Sequence, residues 1–495
     1  MSRIIIQNGN MCELDLPLKF AQKLYNEFAI RHPNAFYLRT RQRGMQNWDG
    51  KIHYITKTGQ FKIGLLPKVY DMCIEMGIKP KVVDMRQPLP KVSKVVTNIG
   101  KYKLRPEQEK AVKAVINNKI GNTPFHIGVL DYTVNAGKTL IMSSLYLSYK
   151  KQLKTLLITN DSDWLNQARE EFKQYLPGED ITFVQGKVLN WSNFTIGMVQ
   201  SISRNMRFYQ KELSQIDMVL IDEADQGGSK QYQNVITRLF NTRIRIGLSG
   251  TIYMSKLAKD RVKNMNLECF FGKVLAEFKL KDSIKKGYST KTVVKMVPGK
   301  PWYGNWESDC ISYKEIYDDS ITNCYTAWLM AYNRLLWNLN QGRYPALVVC
   351  KHIAHCENLY KFFKKKLGDA YNIAYVNVNT PSKLRQQIMK DFREGKIDIL
   401  VSTTIIARGK NFPKLKYLLN TASMDSQEKS IQFLGRLVRT DESKNKVYLD
   451  DLHYPGNYLD RHGKHRKQYY QRQELKVILL DKLWKKHPNH SLIKS

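Results

Sequence analysis

At 495 residues the chain is too long for one hydrophobic core and predicts two large domains plus an appendage. It holds 80 Lys+Arg against 44 Asp+Glu, a formal net charge of +36. Self-repulsion on that scale favours a polyanionic partner, nucleic acid above all. The seven cysteines are scattered and never spaced C-x-x-C, which argues against a disulfide framework and fits a reducing cytoplasm. No stretch approaches membrane-spanning length, and MSRIIIQNGNMCELDLP lacks a signal-peptide apolar region and cleavage site.

Residues 1–95 read as a first α+β unit and linker. Ile4 to Ile6 open it, and a helical stripe follows through Phe20, Leu24 and Phe28. Next come short alternating segments, YLRTR and KIHYIT, on either side of NWDGK, where Asp49-Gly50 is a hairpin-turn dipeptide. A second helix is predicted over Leu66 to Met76. The segment RQPLPKVSKVVTNIGKYK, with two prolines and few apolar anchors, reads as a linker.

From about residue 96 apolar strands alternate with amphipathic helices, which predicts an α/β fold of two tandem parallel-sheet layers over 96–285 and 286–455. The first series is FHIGVL, TLLIT, ITFVQ, FTIGMV, MVLID and IRIGLS. The second is TKTVVKMV, ALVVC, IAYVN, DILVST, KYLLNT and KVYLDD. Between its first two strands a long helix carries Tyr325, Trp328, Leu329, Tyr332, Leu335, Leu336 and Leu339 on one packing stripe. Cys350, His352, His355 and Cys356 have zinc-ligand chemistry but fall where a strand runs into a helix, which favours a core role. Residues 456–495 read as a basic helical extension.

Three stretches carry the chemistry. In TVNAGKT, amides around Asn135, Ala136 and Gly137 at a helix start would wrap a phosphate. Lys138 would bridge β- and γ-phosphates, and Thr139 would offer a hydroxyl to Mg2+. Tyr132 stands where the usual phosphate loop has its first glycine. In LIDEAD, Asp222 emerges from an apolar strand to hold the Mg2+ shell, and Glu223 would orient or deprotonate the attacking water. QFLGRLVR opens on Gln432 and predicts Arg436 and Arg439 one turn apart on one helical face, suited to charge on a transferring phosphate.

In the first unit Arg39, Arg41 and Arg43 alternate on a presumed strand and would share one face, with Trp48 nearby and Lys51 closing the hairpin. Aligned guanidiniums repel unless an anion lies across them. Trp48 would stack on a base or wedge at a junction.

With these motifs in this order, the chain resembles superfamily 2 helicases, and among them the UvsW-type DNA helicases of tailed bacteriophages. The resemblance implies RecA-like parallel-sheet domains preceded by a small DNA-contacting domain, ATP and Mg2+ as cofactors, and the cytoplasm as the compartment, that of the host if the chain is phage-encoded. It also implies branched DNA as substrate: forks, Holliday junctions, displacement loops or an RNA-DNA hybrid. LRPEQEKAV resembles the adenine-sensing segment, with Arg105 and Gln108 at the nucleotide. LLITNDSDWLNQ and MVQS resemble nucleic-acid-contact motifs, the latter bringing Gln200 and Ser201. LSGT matches the coupling motif through Ser249 and Thr251. VSTTIIARGKNFP resembles the motif that sets Thr403, Thr404 and Arg408 near the phosphodiester backbone and Gly409 near nucleotide.

Two departures stand out. Asn160 and Asp161 replace the usual Pro-Thr pair, and DEAD is shared with the RNA-directed branch, which has SAT rather than LSGT and begins its last motif with His-Arg. An RNA helicase, or an ATP-gated nucleic-acid clamp that separates no strands, are the alternatives.

Overall fold

The computed structural model describes residues 2–41, 44–149, 152–186, 188–253, 258–299, 312–407 and 412–480. The chain forms two compact units, Met1–Phe278 and Lys279–Ser495.

Each unit is built on a parallel sheet. In the first, eight strands run in the order Val188–Leu189, Ile181–Gln185, Phe194–Met198, Thr155–Thr159, Met218–Asp222, Ile244–Ser249, His126–Tyr132 and Val274–Phe278. Only the edge strand Val188–Leu189 is antiparallel. In the second, seven parallel strands run Ile373–Val376, Ile399–Thr403, Ala346–Cys350, Tyr417–Asn420, Lys446–His453, Lys291–Pro298 and Val477–Leu479. Central strands such as MVLID, IRIGLS and ALVVC are buried at every position, as expected when helices cover both faces. The fold is therefore α/β with two tandem RecA-like sheets. The short strands Val274–Phe278 and Val477–Leu479 extend the two expected series. The second of these lies in ELKVILL, which the sequence assigns to a helical tail.

The first unit opens on a four-stranded sheet, in order Gln60–Lys62, Met11–Asp15, Arg3–Ile6 and Lys81–Asp84, with helices Leu18–Glu27 and Leu66–Glu75. Its core is continuous with that of the parallel sheet: Ile4, Phe61 and Leu65 share one cluster with Ile127, Val129 and Phe271. A buried arginine strengthens this seam. Arg245 is wholly inaccessible within the strand Ile244–Ser249, and donates to Gly9 O at 2.6 Å, Asn10 Oδ1 at 2.7 Å and Phe270 O at 3.1 Å. Burial depresses its pKa to about 9.

Two expectations fail on local geometry. YLRTR is not a strand: Ala35–Arg41 is a helix. Ala35 is buried and Leu38 half-buried, a spacing of three that turns inward on a helix and to opposite faces on a strand. The strands Ala29–Arg31 and Lys51–His53 do pair antiparallel, but this helix occupies their connection, with Gly50 left-handed at φ 77°. The basic tail, as far as residue 480, is likewise built into the second unit and is no appendage there. Helix Asn457–Arg472 buries Arg466, which grips Asp451 at 2.8 Å while Tyr470 Oη donates to the same carboxylate at 2.8 Å.

Replacing Arg245 by Met leaves three buried acceptors without their donor, which should cost about 3 kcal/mol. Urea unfolding should show the loss, and Arg245→Lys should not restore it, because one ammonium cannot span three divergent acceptors.

Candidate active site

The strand His126–Tyr132 ends on a tyrosine because that side chain has a structural partner: Tyr132 Oη donates to Glu107 O at 2.7 Å. The loop then gains its curvature at two left-handed residues, Asn135 (φ 64°) and Gly137 (φ 72°). A Cβ at Gly137 would run into Gln108 Nε2, so the glycine is required by close approach as well as by φ. Helix Lys138–Ser148 follows, with no side chain capping its first turn, an arrangement that favours an anion at its amides.

The helix Pro106–Ile116 braces this loop. Arg105 donates to Asn135 O at 3.0 Å, and Gln108 Nε2 to Ala136 O at 2.8 Å. Gln108 Oε1 accepts from the Arg105 amide at 2.8 Å, and the residue is wholly buried. In this structure Gln108 is a tie between helix and phosphate loop.

Asp222, Ser249 and Tyr132 end adjacent strands of the sheet, the carboxyl edge where α/β folds take ligands. Lys138 Nζ lies 3.5 Å from Asp222 Oδ1, so the phosphate-loop lysine and the strand-end acid share one pocket floor. Glu223 is held left-handed at φ 52°, uncommon for a residue with a side chain. Burial first, then the charges of Asp222 and Asp225, push its carboxyl up to about 8, against the opposing pull of Lys138. A site with two carboxylates, a lysine and Thr139 has the donor set for Mg2+ and a phosphate chain, and the crowding at Glu223 marks a place that a cation would relieve. Ser249 Oγ donates to Asp225 Oδ1 at 2.7 Å and lies 3.0 Å from Thr251 Oγ1, a direct bridge between LIDEAD and LSGT. Asp225 was not singled out in the sequence. Its place at the end of the tetrapeptide was the available signal.

The departure NDSD has a capping explanation. Asp161 Oδ1 accepts from the Trp164 amide at 3.1 Å at the start of helix Ser162–Tyr175. Gln200 Nε2 donates to Asn160 O at 3.3 Å, and Ser201 Oγ accepts from the Gly186 amide at 2.9 Å, so these two motifs lie side by side.

In the second unit, Thr403 ends its strand and Thr404 Oγ1 accepts from Lys429 at 3.2 Å. Arg408 and Gly409 lie outside the described residues. Helix Gln427–Leu437, capped by Ser426, carries Gln432 and Arg436 one turn apart. Arg439 does not share that helical face: the helix ends at Leu437, and Thr290 Oγ1 donates to Arg439 O at 3.0 Å. Thr290 N also donates to Val438 O, at 2.8 Å, so strand-side hydrogen bonds replace the next helical turn. Cys350, Cys356 and His355 are core residues. His355 is hydrogen-bonded to Tyr317 at 3.1 Å, and burial drives its pKa down to about 3.

In the N-terminal region Arg39 and Arg41 lie on the exposed helix Ala35–Arg41, and Arg43 lies outside the described residues. Trp48 Nε1 donates to Lys51 O at 2.9 Å and its ring packs edge-on to His32, so it is partly committed to holding the loop. The open aromatics are Phe36, 80% exposed, and Tyr37, 54% exposed with Arg41 4.9 Å over its ring. Sequence reasoning missed both because they were placed on a strand.

Residues 101–254 match the family described as the res subunit of type III restriction enzymes, and residues 329–441 match the helicase conserved C-terminal domain. The chain thus carries superfamily 2 helicase domains. A helicase-named protein, number 22, of the Sulfolobus islandicus filamentous virus (isolate Iceland/Hveragerdi) is 22% identical over 385 residues, 71% of this chain and 64% of that protein. The chain thus spans less than two thirds of that relative's length. The structure of the DNA-bound type ISP restriction-modification enzyme LlaBIII matches 81% of this chain and 33% of its own, at 15% identity and TM-score 0.56. That of bacteriophage T4 UvsW matches 97% and 98%, at 18% identity and TM-score 0.44.

A carboxyl with a folded pKa above its unfolded value keeps its proton longer in the folded chain. For Glu223 the folded state therefore loses stability as pH rises from about 4.5 to about 8. Without nucleotide, the melting temperature of Glu223→Gln should gain on wild type steadily between pH 5 and pH 8. A difference independent of pH would contradict the burial and charge argument.

Proposed function

We propose that the protein is an ATP-dependent DNA helicase or translocase that works on branched DNA: forks, Holliday junctions, displacement loops or R-loops. The observation that carries the ATPase reading is the meeting of Lys138 and Asp222 at 3.5 Å beside a doubly left-handed loop on the carboxyl edge of a parallel sheet. On this reading the loop amides and Lys138 hold the phosphates, and Thr139 and Asp222 hold Mg2+, which when bound neutralises phosphate charge. Glu223 takes the proton of the attacking water. Burial and the charges of Asp222 and Asp225 push its carboxyl up to about 8, into the range suited to a general base. Gln432, Arg436 and Arg439 act on the transferring phosphate, and the Asp225–Ser249–Thr251 chain relays the state of the site toward the nucleic-acid motifs.

DNA is favoured over RNA by LSGT and by Gln-Phe at the start of the last motif. Branch recognition is assigned to the exposed helix Ala35–Arg41, with Arg39 and Arg41 for phosphates and Phe36 and Tyr37 as stacking surface. A cleft of about 560 Å³ beside it is lined by Arg31, Phe36, Arg39, Asp49 and Lys51 among others.

Lys138→Ala should abolish nucleic-acid-stimulated phosphate release and leave gel-shift affinity largely intact. Near-normal turnover would overturn the assignment of the loop. ATP-dependent strand separation on matched linear, forked, four-way and RNA-DNA substrates tests the substrate reading: equal rates on linear and branched DNA would remove branch specificity.

For the N-terminal helix, Arg39→Ala and Arg41→Ala should each lower the log-log salt slope of duplex binding by about 0.9. Phe36→Ala with Tyr37→Ala should slow junction processing with little change in slope, since neither carries charge. Salt-series binding to a four-way junction, paired with resolution rates, checks both.

A further inference from the structure

Away from every helicase motif, the second unit carries an exposed tryptophan ringed by cations. Trp337, on helix Tyr325–Leu339 but off its packing stripe, is 42% exposed. Lys295 Nζ lies 4.9 Å from its ring centre, Arg343 4.8 Å and Arg334 5.0 Å. Arg343 also sits 3.6 Å over the ring of Tyr448, with Lys446 5.6 Å from the same ring. Four cations thus converge on two aromatic rings, from the helix itself, the strands Lys291–Pro298 and Lys446–His453 and the turn after the helix.

The local acid does not balance them. Asp450 is buried and already accepts from Arg334 at 2.5 Å, Asn338 at 3.2 Å and Tyr417 at 3.1 Å. Among the described residues no carboxylate forms an ion pair with Lys295, Arg343 or Lys446. The crowding registers at Lys295, whose pKa is lowered by burial and by Arg334, Arg343 and Lys446, against the pull of Asp450. A surface that only had to be soluble would not hold three unneutralised cations around an exposed indole. An exposed indole with cations held over part of its ring matches a nucleotide unit, base to the open part of the ring and phosphate to cation. An unpaired base is required, because bases in a duplex keep their faces against one another.

We propose that this patch is a second nucleic-acid contact of the protein, taking a single-stranded segment with a base on Trp337 and phosphates on Lys295, Arg343 and Lys446. The inference rests on the chain acting on nucleic acid. It adds a holding site distinct from the motor motifs, suited to a displaced or trailing strand.

The test uses the full chain and a short single-stranded DNA carrying 5-bromouracil. Photo-crosslinking followed by peptide mapping should place adducts at Trp337. Trp337→Ala should weaken single-strand affinity by roughly five- to a hundredfold without altering the salt slope, and Trp337→Phe should keep most of it. Lys446→Ala, a change at an exposed side chain that no fold element needs, should lower the slope by about 0.7. Basal ATP turnover should be unchanged in all three. Adducts confined to other peptides, with unaltered affinity and slope in Trp337→Ala and Lys446→Ala, would overturn the proposal while wild-type DNA-stimulated turnover kept the helicase reading intact. Competition by polyglutamate without a Trp337 adduct would assign the patch to acidic protein and equally overturn it. Failure of the wild type to bind any nucleic acid would remove both readings.

Discussion

The first unit depends on how a single guanidinium is buried. Arg245 sits in the strand that ends in Ser249, and its three acceptors come from the N-terminal sheet and from the helix end at Phe270. A charge taken fully out of water is tolerated only when its donors are met, so the positions of Gly9 and Asn10 are fixed by the motor strand and not by the N-terminal sheet alone. Gly9 has no room for a side chain: a Cβ there would press on carbonyls of Leu239, Phe240 and Thr242. The N-terminal layer and the strand bearing the coupling serine are therefore one mechanical body.

The ATPase pocket shows the opposite use of charge. Burial first, and then the charges of Asp222 and Asp225, drive Glu223 up to about 8, and its backbone is left-handed as well. Such crowding of like charge at a strand end is the mark of a site built for chemistry and not for stability alone. The bridge from Asp225 to Ser249 and Thr251 means that a change of charge in the pocket is felt at once by the neighbouring strand end.

Much of this was legible in the sequence, for a physical reason: parallel strands buried on both faces are continuous apolar runs, so all twelve principal strands could be read, and the phosphate loop and acid pair sit at their ends. What escaped was whatever depends on a partner distant in sequence. Arg245 and Arg466 look like ordinary surface charge until Gly9 and Asp451 are beside them. YLRTR alternates well enough for a strand, and only the inward turn of Ala35 and Leu38 makes it a helix. Arg439 follows the helical period of Gln432 and Arg436, yet Thr290 captures the backbone there and ends the helix first. Trp337 has no motif at all, because the cations over its ring come from its own helix, a strand and a turn.

The strand Val477–Leu479 closes one edge of the second sheet by pairing in parallel with Lys291–Pro298. Shortening the chain after Arg472 would leave the helix Asn457–Arg472 complete but strip that edge, baring unpaired backbone groups around Val294, Lys295 and Met296 of the strand Lys291–Pro298. Such a fragment would tend to recruit a strand from another copy of itself, so a tendency to associate would arise from removing a stretch that lies outside every helicase motif.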